Sequence, residues 1–148
     1  MNGVVSEEIL TKLVKQAILA KEKAYAPYSN FRVGAAILCD DGTIVTGCNV
    51  ENVSYGLSIC AERTAVVKAV SEGKRKFLAV AVTSDSNADS TFPCGACRQF
   101  LREFGDYLFI SVSRDGQKRT QSTTDQLLPH AFLPENLSTN KQKNDHKF

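Results

Sequence analysis

The sequence predicts an α/β fold: a three-layer α-β-α sandwich around a mixed, about five-stranded sheet. Three observations carry this expectation. Apolar residues recur at helical spacing over residues 6–24 and again over 60–70. Residues 31–48 read as two strands folded about Asp41-Gly42. The run FLAVAVTS, Phe77–Ser84, is apolar almost throughout, the mark of a strand buried on both faces.

Taken in order, Ile9, Leu10, Leu13, Val14, Ala17 and Ile18 form one stripe of the first helix, with Ser6 as its cap and Pro27 closing the pattern. Phe31–Cys39 and Thr43–Cys48 follow as strands. Pairing Asp40 with Thr43 across a two-residue turn sets Cys48 opposite Ala35 rather than Cys39, which disfavours a disulfide and makes both cysteines small core or near-core residues. A helix over Cys60–Val70 stops at Gly73, and Lys74-Arg75-Lys76 reads as its solvated exit. After the buried strand, residues 95–104 form a helix stopped by Gly105. Leu108–Val112 is a fourth strand, Lys118–Ser122 a fifth, and Thr124–Leu128 a last short helix before Pro129. Residues 1–137 are expected to make one domain, and the polar stretch 138–148 (STNKQKNDHKF) to fray.

Composition narrows the function classes. In 148 residues, 43% are hydrophobic and 23% charged, enough apolar material for a full core. Eighteen basic against sixteen acidic residues leave a net charge of +2, too balanced to advertise a nucleic-acid surface. The first residues, MNGVVSEEILTKLVKQ, lack the basic start and apolar block of a secretory signal. No apolar run approaches the roughly 18 residues of a membrane span. A cytoplasmic protein is expected, with a nuclear share left open. Five cysteines, an odd number, argue against a closed disulfide framework in such a chain.

The chemistry starts from FPCGACRQF, residues 92–100, where Cys94 and Cys97 lie three apart at the opening of a helix. Cys60, in SICAERTA, opens another. Unpaired backbone N–H groups and the positive helix end favour thiolates at both places. Three thiolates converging from two helix starts suit a soft metal, zinc first among them, and three protein ligands with an open position is the catalytic pattern. Glu62 shares the inward face of its helix with Ala65, Val66, Ala69 and Val70, where a carboxylate is costly unless it is used. It stands about 200° around the helix from Cys60, which points to a water at the metal rather than direct ligation. Desolvation would raise its pKa, as a proton carrier requires. Arg63 and Arg98 are the cations able to draw charge from the sulfurs.

These residues resemble the zinc cytidine deaminases, in the small form with three cysteine ligands. The resemblance is carried by Cys60-Ala61-Glu62 and Pro93-Cys94-Gly95-Ala96-Cys97-Arg98-Gln99. It extends through Ala26-Pro27-Tyr28-Ser29, Phe31-Arg32-Val33-Gly34-Ala35, Gly47-Cys48-Asn49-Val50-Glu51-Asn52, Ser54-Tyr55 and Leu127-Leu128-Pro129 with Phe132, covering roughly residues 6 to 137. It implies hydrolysis of cytidine and deoxycytidine to uridine and deoxyuridine plus ammonia, in pyrimidine salvage. One zinc per subunit on Cys60, Cys94 and Cys97 would lower the pKa of its water. Glu62 would carry protons to the ring nitrogen and the departing amino group while hydroxide attacks C4, chemistry long described for zinc deaminases. The resemblance further implies that Asn49 and Glu51 hold the sugar, Phe31 packs on the base and the Ala61 backbone reads the pyrimidine edge. It implies a homotetramer in which Tyr55 and Phe132 come from neighbouring subunits. Leu133 stands where many members have glycine.

Free nucleosides are favoured over polymers, because a phosphodiester at the 3′ position would confront Glu51 with a second negative charge. Two rivals are weighed: a blasticidin-type deaminase with the same zinc chemistry, and a structural zinc module with Cys48 as fourth ligand.

Overall fold

The computed structural model describes residues 5–137; the stretch expected to fray lies outside them. The first helix, α1 (Glu7–Lys21), starts where the sequence places it. The Ser6 side chain accepts from the Ile9 N–H at 3.3 Å, and Glu7 and Glu8 sit at the positive end of the helix. Its end differs from expectation. Pro27 plays no part, because the N–H groups of Glu22, Lys23 and Ala24 bond to carbonyls three residues back and tighten the last turn five residues earlier.

A hairpin follows, β1 (Val33–Cys39) and β2 (Ile44–Cys48). Its register departs from the expectation by one residue: Cys48 lies opposite Gly34, and Ala35 opposite Gly47. The loop holds three residues rather than two. The Cys39 N–H donates to the Thr43 carbonyl, and Gly42, at φ 84°, takes the left-handed conformation that such a loop needs. Among the five cysteines none is bridged: Cys39 is buried, and the partly buried Cys48 donates to the Lys23 carbonyl at 3.4 Å.

A single 3₁₀ turn (Tyr55–Leu57) precedes α2 (Ala61–Ser71), which gives way to Gly73 at φ 84°. Then come β3 (Phe77–Ser84), α3 (Gly95–Arg102), β4 (Leu108–Val112), β5 (Arg119–Thr123) and α4 (Thr124–Leu127), with a second 3₁₀ turn at Pro134–Leu137. The sheet runs β2-β1-β3-β4-β5, antiparallel except for β3 and β4. That parallel pair requires a crossover, which α3 supplies.

Both faces of the sheet are covered. Leu10, Leu13, Val14 and Ala17 of α1 lie on Ala36, Leu38, Ala79, Ala81, Ile110 and Val112. Their strand neighbours Ala35, Ile37, Val80, Val82 and Phe109 face the other way, onto Ala61, Ala65, Val66 and Ala69 of α2 and Leu101 of α3. The period of two along each strand thus divides one apolar run between two cores. Each large side chain buried this way is worth about 1.5–3 kcal/mol.

Two glycines permit the close layering. A Cβ at Gly34 would run into the Ala17 carbonyl and the Lys21 N–H of α1; one at Gly47 would meet the Ala61 carbonyl and the Ala65 N–H of α2. The helices therefore rest on the hairpin backbone from opposite sides. Lys21, only 4% exposed, ends α1 with its ammonium 3.4 Å from both the Ser84 carbonyl and Asp85 Oδ1. Asp85 in turn accepts from the Arg32 backbone N–H and from Nε and Nη2 of its guanidinium, and its carboxyl is held well below the ordinary range, chiefly by Arg32. The start of β1 and the end of β3 are fastened together at this end of the sheet.

Candidate active site

The start of β1, the end of β2 and the end of β3 share that end of the sheet, since Gly34 pairs with Cys48 and Val33 with Ser84. The N-termini of α2 and α3 arrive at the same place. Cys60 is the N-cap of α2, Cys94 the N-cap of α3, and Cys97 lies in the first turn of α3. Their three sulfur atoms fall within 4.8 Å of one another, and those of Cys60 and Cys94 are 3.9 Å apart. Sulfurs at 2.3 Å from a tetrahedral zinc stand about 3.8 Å from each other, so the donor set fits that ion.

The electrostatics fit as well. The neighbouring Cys97 sulfur lowers the Cys60 thiol to about 5 against the opposing effect of burial, and Arg63, with Nη2 at 3.3 Å from the Cys60 sulfur, lowers it further. Cys97 is pushed far upward by that same Cys60 sulfur, by burial and by Glu62. One anion is tolerated here and a second is not, unless a cation arrives to neutralise it.

Glu62, on the next position of the α2 face after Ala61, is 4% exposed. Burial raises its pKa, and its Oε2 accepts from the Cys97 thiol at 3.1 Å. It therefore stands beside the sulfur group with its proton affinity enhanced. Among the described residues the group able to hold a metal consists of Cys60, Cys94 and Cys97. Cys48, bonded to the Lys23 carbonyl, is not part of it, which removes the four-cysteine structural module. Arg98 turns away from the sulfurs: Nε donates to the Pro93 carbonyl at 2.9 Å and Nη1 to the Leu127 carbonyl at 2.8 Å, pinning the approach to Cys94 against the end of α4.

A cleft of about 320 Å³ opens over this group, lined by Phe31, Asn49, Glu51, Cys60, Glu62 and Cys94 together with Ser29, Thr91 and Phe92. The family model described as the cytidine and deoxycytidylate deaminase zinc-binding region matches residues 7–112. The chain belongs to this deaminase family. It is 48% identical over 129 residues to a cytidine deaminase of Sporosarcina psychrophila, covering 86% of this chain and 93% of that one. It is 47% identical to the cytidine deaminase of Halalkalibacterium halodurans, over 85% of this chain and 96% of the other. The crystal structure of cytidine deaminase from Burkholderia pseudomallei superposes with a TM-score of 0.79 at 43% identity, over 86% of this chain and all of that one.

Within the deaminase fold the cleft walls are tied to the backbone. Asn49 Nδ2 donates to the Phe31 carbonyl and its Oδ1 accepts from the Val33 N–H, both at 2.8 Å. Val50, between Asn49 and Glu51, makes two backbone hydrogen bonds with Ile59 at 2.9 Å, while Tyr25 bonds to Asn49 and Glu51 on either side of it. Ala61 is wholly buried at the first turn of α2, whereas Tyr55 and Phe132 are 74% and 59% exposed. The Phe132 carbonyl accepts from Gln99 Nε2 of α3 at 2.8 Å.

Sequence reasoning missed Ser29, Thr91 and Phe92 as wall residues. The Thr91 N–H is held by the Ser111 hydroxyl, and Thr91 Oγ1 lies 2.6 Å from Ser84 Oγ. Phe92 stacks on Phe109 at 6.1 Å between ring centres. Hydroxyls and a lone aromatic in a loop carry no spacing signal; Glu51, Ser84, Phe109 and Ser111, which they meet, lie 7 to 22 residues away.

Proposed function

We propose that the deaminase hydrolyses the C4 amino group of free cytidine and deoxycytidine, giving the uracil nucleoside and ammonia. The observation that carries the reading is Glu62, a buried carboxylate of raised pKa placed against a three-sulfur group at the floor of a nucleoside-sized cleft. Zinc on Cys60, Cys94 and Cys97 supplies the Lewis acidity that makes a water nucleophilic near neutral pH. Glu62 would take one proton from the attacking water and give it to the pyrimidine ring nitrogen N3, then take the remaining proton of the C4 hydroxyl and deliver it to the amino group, which leaves as ammonia. Arg63 draws charge from the Cys60 sulfur and keeps the site electrophilic. Phe31 packs on the base, Asn49 and Glu51 take the sugar hydroxyls, and the Ala61 backbone meets the pyrimidine edge.

The wider reading has two parts. Residues 1–137 act as one catalytic domain in a cytoplasmic enzyme of pyrimidine salvage, a setting that suits five unbridged cysteines. The subunits form a homotetramer, in which the exposed Tyr55 and Phe132, near the exposed Val53 and Leu57, complete neighbouring sites.

Ultraviolet absorbance of cytidine tests the reaction directly. The zinc-loaded protein is expected to convert cytidine to uridine, and Glu62→Gln to keep its zinc and lose turnover. A metal-loaded, folded protein that leaves both cytidine and deoxycytidine untouched overturns the proposal.

A further inference from the structure

Ser29 has no part in the reaction just described, yet its hydroxyl stands between two residues that do. Its Oγ accepts from the Phe31 backbone N–H at 3.0 Å and donates to Glu51 Oε2. The other carboxylate oxygen of Glu51, Oε1, accepts from the backbone N–H groups of Tyr28 and Ser29 at 3.0 and 3.1 Å. Among the described residues every donor to Glu51 thus comes from two residues just before β1. The hydroxyl owns a single proton, and with Phe31 N–H occupying its lone-pair side, that proton is directed at Glu51.

Phe31 is fixed from the opposite side too. Its carbonyl is held by Asn49 Nδ2, and Arg32 next to it is locked by Asp85. Ser29 is therefore the joint at which a rigid aromatic wall meets a half-buried carboxylate. An unrestrained glutamate loses rotamer freedom on gripping a ligand; one already held by three donors does not. Held in this way, Glu51 lines the cleft.

We propose that Ser29 is a positioning residue for nucleoside binding, setting the spacing between the base-packing Phe31 and the sugar-binding Glu51 so that recognition of the 3′-hydroxyl depends on its side chain. The inference rests on the reading of Glu51 as the partner of that hydroxyl. Discrimination between cytidine and 3′-deoxycytidine then originates in a residue that itself need not touch the sugar.

Steady-state kinetics of the zinc-loaded enzyme with cytidine and 3′-deoxycytidine test this, with circular dichroism melts to show that each variant folds. Ser29→Ala is expected to raise KM for cytidine roughly tenfold, the loss typical of a hydrogen bond to a charged group, with kcat within about twofold and 3′-deoxycytidine unaffected. Ser29→Thr, which restores the hydroxyl at an exposed position, should return KM for cytidine to the wild-type value. In a Glu51→Gln background, Ser29→Ala should add less than about twofold, as expected of residues acting through one another. A Ser29→Ala enzyme that loses both nucleosides equally, or neither, overturns the assignment while leaving the deaminase reading intact. A wild-type enzyme inert toward cytidine would instead defeat the deaminase reading itself.

Discussion

The Cys97 thiol donates to Glu62 Oε2 at 3.1 Å and so joins the first turns of α3 and α2. In the absence of a cation this contact shares one proton between a ligand and a carboxylate. Metal binding takes the thiol proton away, which leaves Glu62 buried, unpaired at that oxygen and ready for a new donor. Glu62→Gln keeps the shape of the side chain but cannot accept a proton. Turnover of cytidine should fall by about 10²–10⁴-fold, with zinc content, measured by atomic absorption, unchanged. Loss of zinc in this variant would make Glu62 a structural prop of the metal rather than a proton carrier.

Zinc retention should weaken as pH falls. In the metal-free protein the Cys60 thiol is lowered to about 5, but the Cys97 thiol is held above its ordinary value, so loading at neutral pH must expel protons. Competition with a zinc chelator should show Kd rising about tenfold or more for each pH unit lost between 7 and 5. Cys97→Ala should bind zinc far more weakly at every pH. An affinity independent of pH would contradict the protonation states assigned here.

Asp85 offers a stability test remote from the metal. Replacing it with alanine leaves the buried Lys21 ammonium only the Ser84 carbonyl and should cost about 3 kcal/mol in urea denaturation at pH 7. The sign of its pH dependence follows from its lowered carboxyl. The stabilisation is fully present above the unfolded value near 3.9 and disappears as pH drops through the folded value below it. The gap between wild type and Asp85→Ala should therefore be constant from pH 7 to 5 and close in stronger acid.

Polymers should be poor substrates. A phosphodiester at the sugar 3′ position would bring an anion against Glu51, whose carboxyl is already stabilised in its charged form, first by Ser29. Deamination of a single-stranded oligonucleotide should run about 10²-fold below cytidine, as expected when a charged group loses its hydrogen-bond donor and faces a repelling partner. Comparable rates would remove Glu51 from the sugar site.

The legible parts of this protein were those encoded by local pattern. The apolar runs at 77–84 and 108–112 became strands with the boundaries that hydrophobicity alone suggested. The helix starts at Cys60 and Cys94 were visible because the motif residues open apolar-periodic segments. The hairpin register was off by one because Gly42 turns the chain with three loop residues, and a turn of two or three fits the same letters. Ser29 stood out only as part of the family motif and Thr91 not at all, because the role of a hydroxyl in the wall comes from a partner the fold brings near. Arg98 was read as a helper of the sulfurs or a surface residue, and is neither: it finds two carbonyls 5 and 29 residues away.

Gly47 stands near the end of β2, one residue before Cys48, and a methyl group there would press on the very turn of α2 that bears Glu62. The depth to which the reactive acid reaches is thus gauged by a missing carbon atom on the strand beneath it. Even a substitution as small as alanine at this spot would act as a shim under the turn that carries both Cys60, at its cap, and Glu62.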